Sequence, residues 1–120
     1  MEQGPPILIV EDDDQLMMVL GMLLEFERFG FLRATDGQEA LDWLALIRPA
    51  LVILDWRLPK VSGDQVLADV RARFDNQVPV LVLSAIAEAE EVRAAGADAY
   101  LRKPYAVDAL VKVIRQLLAA

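Results

Sequence analysis

Apolar residues follow two rhythms along this 120-residue chain. Unbroken runs at 7–10, 51–54 and 80–83 are rich in Ile, Val and Leu without polar alternation, the pattern of strands buried on both faces. Weaker runs at 31–34 and 99–101 complete five strands, and each follows a glycine, Gly30 or Gly96, placed where a helix could close in a left-handed turn. Between the runs the spacing is helical. A first helix is predicted over 14–29, capped by Asp13 or Asp14, with Leu16, Val19, Leu20, Leu23 and Glu27 on one stripe. Met17, Met18 and Met22 fall partly off that stripe, which leaves extra core and an adaptable docking face as open readings. Further helices are predicted over 38–46, 63–74 and 107–118, the last with Leu110, Val111, Ile114, Leu117 and Leu118 inward. Between Ser84 and Gly96 only a short helix is favoured, by the four Ala and three Glu of 87–95. Strand and helix alternating in this way imply an α/β fold, a doubly wound five-stranded parallel sheet with helices on both faces. The length fits one domain over 1–120.

Composition narrows the function. A hydrophobic fraction of 56% excludes a disordered chain, and no apolar run reaches the roughly 20 residues of a membrane span. No basic, apolar leader is visible at the start, so cytoplasmic residence is expected. The absence of cysteine removes disulfides, thiolate metal sites and thiol nucleophiles, and the absence of histidine removes a Ser-His pair or a phosphohistidine on this chain. A formal charge of -7 disfavours nucleic acid and points to a protein partner.

The predicted topology brings scattered polar residues to one edge. Glu11, Asp12 and Asp13 follow the first strand, Asp55 ends the third, Ser84 ends the fourth, and Lys103 follows the fifth. In a parallel sheet these carboxyl ends converge on one crevice. Carboxylates gathered there without counter-charge repel, so a hard, oxygen-seeking cation is the natural occupant, and magnesium fits best. Helix capping accounts for Asp13 or Asp14 but not for an acid at Asp55. Lys103 supplies a compact positive charge for Asp55 and for a phosphoryl oxygen, and Ser84 can donate a hydrogen bond.

The ordered set ILIVED at Ile7 to Asp12, LVILDWRLP around Asp55 with Gly63 after it, PVLVLSA around Ser84, and AGADAYLRKPY resembles the receiver domain of response regulators over essentially the whole chain. That resemblance implies the flavodoxin-like strand order 2-1-3-4-5, with Asp55 as phosphoacceptor and Glu11 and Asp12 as the acidic pair beside Mg2+. Ser84 takes the hydroxyl position and Lys103 the lysine position. It also implies that Arg57 offers its backbone carbonyl to the metal, that Tyr100 is the switch aromatic, and that Lys103-Pro104 is a cis peptide. The implied donor is a histidine kinase or a histidine phosphotransfer protein. An effector protein or attached output domain receives the signal, and a homodimer is possible. The interval from Ser84 to Lys103 is shorter than the family's usual spacing by close to one helical turn, so a shortened fourth helix is expected. Two rival readings stand beside this one. A flavodoxin-like electron carrier would need a Gly-, Ser- or Thr-rich phosphate loop where this chain has Glu-Asp-Asp-Asp. A degenerate receiver acting only as an interaction module would differ in failing to take phosphate.

Overall fold

The computed structural model describes residues 4–84 and 89–119. The first three residues, read above for a leader, and 85–88, where part of the fourth helix was expected, lie outside the described residues. Five strands, β1 (Ile7–Val10), β2 (Phe31–Ala34), β3 (Leu51–Asp55), β4 (Val80–Ser84) and β5 (Ala99–Arg102), alternate with helices α1 (Asp14–Phe26), α2 (Gly37–Leu46), α3 (Gly63–Phe74), α4 (Ala89–Ala94) and α5 (Val107–Ala119). The sheet is parallel throughout, in the order β2-β1-β3-β4-β5. This is the predicted doubly wound architecture; α4 opens directly after 85–88, so the expected shortening of the fourth helix falls partly outside the described residues.

Successive residues of a strand face opposite sides, so the apolar runs feed two cores. Leu8, Val10, Val52, Leu54, Val80 and Val82 pack against Ala40, Leu44, Val66, Val70 and Val92 from α2, α3 and α4. Ile7, Ile9, Leu51, Ile53, Leu81 and Leu83 pack against Met17, Leu20, Leu24, Leu110 and Ile114 from α1 and α5. Along 7–10, 51–54 and 80–83 both faces of the three central strands are covered by apolar side chains, which is why these runs carry no polar alternation before Asp55 and Ser84 at the ends of β3 and β4.

The predicted inward stripe of α1 is corrected by about one residue. Met17, Leu20, Gly21 and Leu24 are the buried positions, whereas Val19 is 53% exposed. Gly21 lets β2 approach: a Cβ there would lie 3.0 Å from Arg33 Nη2 and 3.2 Å from the Phe31 ring. Of the three off-stripe methionines, Met17 is core, while Met18 and Met22 face outward. The helix also stops at Phe26 rather than at 29, and the left-handed residue in its closing turn is Arg28, φ 68°, not Gly30. Gly96, φ 98°, does close α4 as expected. On α5, Val113 takes the core contact predicted for Val111.

At the end of the sheet away from the strand carboxyl ends, Arg71 of α3 ties three segments together. Its guanidinium donates to the carbonyls of Val78 (2.9 Å) and Gly96 (2.8 Å) and to Asp98 Oδ2 (2.6 Å). The same carboxylate oxygen accepts from the Val80 backbone N–H at 2.7 Å. Partly buried charged hydrogen bonds of this kind contribute more than surface ion pairs. Arg71→Ala is expected to lower the unfolding free energy by about 2–3 kcal/mol in urea titration, and a loss below roughly 0.5 kcal/mol would show that solvent replaces the cluster at no cost.

Candidate functional site

The strand register assembles the site. Val10 lies opposite Leu54 in the β1–β3 pair, so Glu11 and Asp55, one residue further on, leave the sheet side by side. Asp55 is opposite Leu83, and Ser84 follows at the end of β4. Ser84 in turn pairs with Arg102, and its carbonyl accepts the Lys103 backbone N–H at 2.7 Å. The Lys103-Pro104 peptide bond is cis.

Glu11 and Ser84 are 2% exposed and Asp55 8%, so two carboxylates and a hydroxyl are carried into the edge of the core. The Lys103 ammonium reaches both acids, 3.4 Å from Glu11 Oε1 and 3.5 Å from Asp55 Oδ1. Backbone donors add to this: Asp13 N–H to Glu11 Oε2 at 3.1 Å, and Arg57 N–H to Asp55 Oδ1 at 3.4 Å. Asp13 also caps α1, its side chain accepting from the Leu16 N–H at 3.0 Å, which removes it from the cluster. Asp12 stays exposed above the site.

One oxygen each from Glu11, Asp12 and Asp55 lies within 4.8 Å of the others. At that spacing two ionised acids repel by roughly 3 kcal/mol at an effective dielectric of ~20. A single lysine does not balance three carboxylates. The donor set is all oxygen and formally trianionic, with one member open to solvent, which fits a hard divalent cation that keeps water in its shell. Sequence reasoning missed Tyr105, packed beside the site on the α1 and α5 side. Burial pushes its hydroxyl above the usual tyrosine range, so it stays protonated there. Its place two residues after Lys103 was the available signal. Tyr100 lies on β5 opposite Val82, half-buried against the core of the other face.

The family model described as the response regulator receiver domain matches residues 7–115. The chain belongs to that family. Receiver domains also supply its structural neighbours. One, from a Pseudomonas aeruginosa sensor histidine kinase with a magnesium ion coordinated in the active-site cleft, superposes with a TM-score of 0.89 at 26% identity, over 98% of this chain and 99% of that one. Another, the receiver domain of a Francisella response regulator, gives 0.87 at 28% identity, over 97% and 98%. Among curated proteins, the response regulator MprA of Mycolicibacterium vanbaalenii is 40% identical over 93% of this chain and 49% of its own length. The transcriptional regulatory protein PrrA of Mycobacterium tuberculosis is 38% identical over 96% and 50%. This receiver chain thus spans about half the length of the curated relatives it matches.

Electrostatics make the receiver site pH-sensitive. Burial, and then the charge of Asp55, push the Glu11 carboxyl up to about 7. Burial also raises Asp55, against the pull of Lys103. Desolvation works to lower Lys103, but the two carboxylates outweigh it and the net shift is upward. In the metal-free protein, folded Glu11 keeps its proton while the unfolded residue loses it above about 4.5, so its contribution to stability falls as pH rises from there to about 7. A cation must displace that proton. Calorimetry of magnesium binding in buffers of different ionisation enthalpy should therefore read about one proton released per ion near pH 6 and much less near pH 8, and no release near pH 6 would contradict the assignment.

Proposed function

We propose that this chain is a phosphoaccepting receiver, in which Asp55 takes a phosphoryl group from a phosphohistidine donor or a small phosphodonor and the domain then changes shape for a protein partner. The observation that carries this is the position of Asp55 itself. It is nearly buried, with the Lys103 ammonium 3.5 Å from Oδ1 and two further carboxylates within 4.8 Å. Glu11, Asp12, Asp55 and the backbone carbonyl of Arg57 would hold a magnesium ion, which when bound supplies positive charge opposite the phosphoryl oxygens. The protein's own steps are simple. One Asp55 oxygen attacks phosphorus as the bond to the donor imidazole nitrogen breaks. The Lys103 ammonium and the Ser84 hydroxyl offset charge on the equatorial oxygens, so positioning and electrostatics supply most of the rate.

The acyl phosphate is later hydrolysed by water, which makes the domain a timed switch. Ser84 moving toward the phosphoryl group and Tyr100 shifting inward would pass the change from the site to the outer face. The receiver unit would occupy residues 1–120. A histidine kinase or histidine phosphotransfer protein is the donor in this reading. An effector or an attached output domain is the recipient, in keeping with relatives about twice as long. Among the described residues no helix is long and apolar enough to cross a membrane, and we place the domain in the cytoplasm.

Acetyl phosphate with magnesium should add one phosphoryl mass to the wild-type protein and none to Asp55→Asn, because an amide cannot serve as the nucleophile. An equal gain in the variant would sink the assignment. A wild-type protein that takes no phosphate would favour the interaction-module reading.

Trp56 follows Asp55 directly, whereas the Trp43 indole N–H is committed to the Arg33 carbonyl at 3.0 Å on the β2 side. Magnesium should change the fluorescence of Trp56 and leave Trp43 nearly silent. If Trp56→Phe keeps the full response, the metal binds elsewhere.

A further inference from the structure

The connection over residues 56–62, which leads from Asp55 to α3, is held at two glycines. At its far end a Cβ on Gly63 would lie 2.7 Å from the Trp56 carbonyl oxygen and 3.1 Å from that of Asp55. A capping box closes the same end, with the Gln65 N–H donating to Ser62 Oγ at 3.2 Å and the Ser62 N–H to Gln65 Oε1 at 3.1 Å. The middle is held from outside. Gly37, the first residue of α2, lies so close to Val61 that a Cβ would stand 2.1 Å from the Val61 carbonyl oxygen and 2.8 Å from its carbonyl carbon. Both are backbone atoms, which no rotamer change can withdraw. One residue earlier, Asp36 caps α2 by accepting from the Glu39 N–H at 2.8 Å, and its other oxygen meets Lys60 Nζ at 3.3 Å. Lys60 itself holds φ 68°, a left-handed conformation uncommon for residues with a side chain. Two consecutive residues of α2's start therefore grip two consecutive residues of the connection.

Capping alone does not explain this arrangement. It accounts for Asp36, but the first helical position has no need of glycine, and Gly37 is helical without a positive φ. The reason for glycine there is the approach of the Val61 backbone. Between Arg57 and Val61 the chain is short and includes Pro59, whose ring fixes φ, so little of a displacement at Val61 can be absorbed before Arg57. The Arg57 N–H in turn lies 3.4 Å from Asp55 Oδ1.

We propose that the amino-terminal end of α2 is a positioning element for the acidic cluster, with Gly37 against Val61 and the Asp36–Lys60 pair setting the path of the connection and with it the Arg57 backbone beside Asp55. The proposal rests on the reading of Glu11, Asp12 and Asp55 as a magnesium site. Residues that orient a ligand from behind commonly change metal affinity by about 10–100-fold when altered.

The test is a MgCl2 titration followed by tryptophan fluorescence in a Trp43→Phe background, which leaves Trp56 as the reporter. Gly37→Ala should weaken magnesium about tenfold while circular dichroism shows the protein still folded. Gly21→Ala is the matched control, since the atoms nearest its Cβ belong to the Arg33 guanidinium and the Phe31 ring and not to the connection. It should stay within about twofold of the parent. If Gly37→Ala does not fold, Lys60→Gly decides: glycine accepts the left-handed φ without strain and removes the Asp36 pair, and an affinity weakened about threefold or more is expected. A parent that responds to magnesium while Gly37→Ala or, where that variant is unfolded, Lys60→Gly binds as the parent does overturns this inference alone. A parent that gives no response overturns the metal reading and the inference with it.

Discussion

Two carboxylates, Glu11 and Asp55, lie buried side by side at the edge of an apolar sheet, and the rest of the site is organised around that repulsion. Water would normally separate and solvate such a pair, and burying them is unfavourable unless a counter-charge is held in place. Lys103 is held by the backbone, because its N–H donates to the Ser84 carbonyl where β5 ends beside β4. The ammonium then reaches both acids. Even so, Glu11 is pushed up to about 7, so below that pH a proton relieves part of the repulsion and competes for the place a cation would take. Parallel pairing is what makes this possible. Only strands running the same way deliver residues 11, 55, 84 and 103 to one edge.

Much of this fold was legible in the sequence because strands buried on both faces cannot hide their pattern. The runs at 7–10, 51–54 and 80–83 each lie inside an observed strand, and their ends put the polar residues at the predicted edge. Helix faces were harder. The α1 stripe was misplaced by about one residue because Leu16, Val19 and Leu23 fit a helical spacing as well as Met17, Leu20 and Leu24 do. What chose between them was the neighbour: Gly21 admits the Phe31 ring and the Arg33 side chain from β2, a contact that periodicity does not encode. Likewise, Gly30 looked like the residue to close that turn, yet Arg28 takes the left-handed conformation, and Phe29 N–H bonds back to the Leu24 carbonyl at 2.8 Å. Packing of Phe29 on the α1 and α5 core makes that cost tolerable.

Within the site, the acids, the hydroxyl and the lysine stood out because their chemistry is unusual at strand ends. The supports did not. Gly37 follows Asp36 in sequence and reads as part of an ordinary helix start, and the backbone it accommodates lies 24 positions later, at Val61. Asp13 was read as an alternative cap, without any sign that its own N–H would satisfy Glu11. Both omissions have one cause: a residue whose role is to let another backbone approach, or to donate its own, leaves no side-chain signature.

Both ends of the β4–β5 pair are tied to neighbouring segments through a charged side chain, Arg71 at one end and Lys103 at the other. Away from the site, Asp98 receives the Val80 N–H and the Arg71 guanidinium, while Gly96, closing α4, gives its carbonyl to the same arginine. That end is tied to α3 by charged hydrogen bonds to several segments at once. At the other end, Ser84 terminates β4 beside the acids, and Tyr100, opposite Val82, packs against the core that includes Val92 of α4. In the proposed switch, a pull on Ser84 would act on strands anchored at their far end by the Arg71–Asp98 cluster. Among the described residues of α4, Val92 is buried, in the same core that Tyr100 packs against. The Arg71–Asp98 anchor would hold the proposed change near the edge where the acids lie.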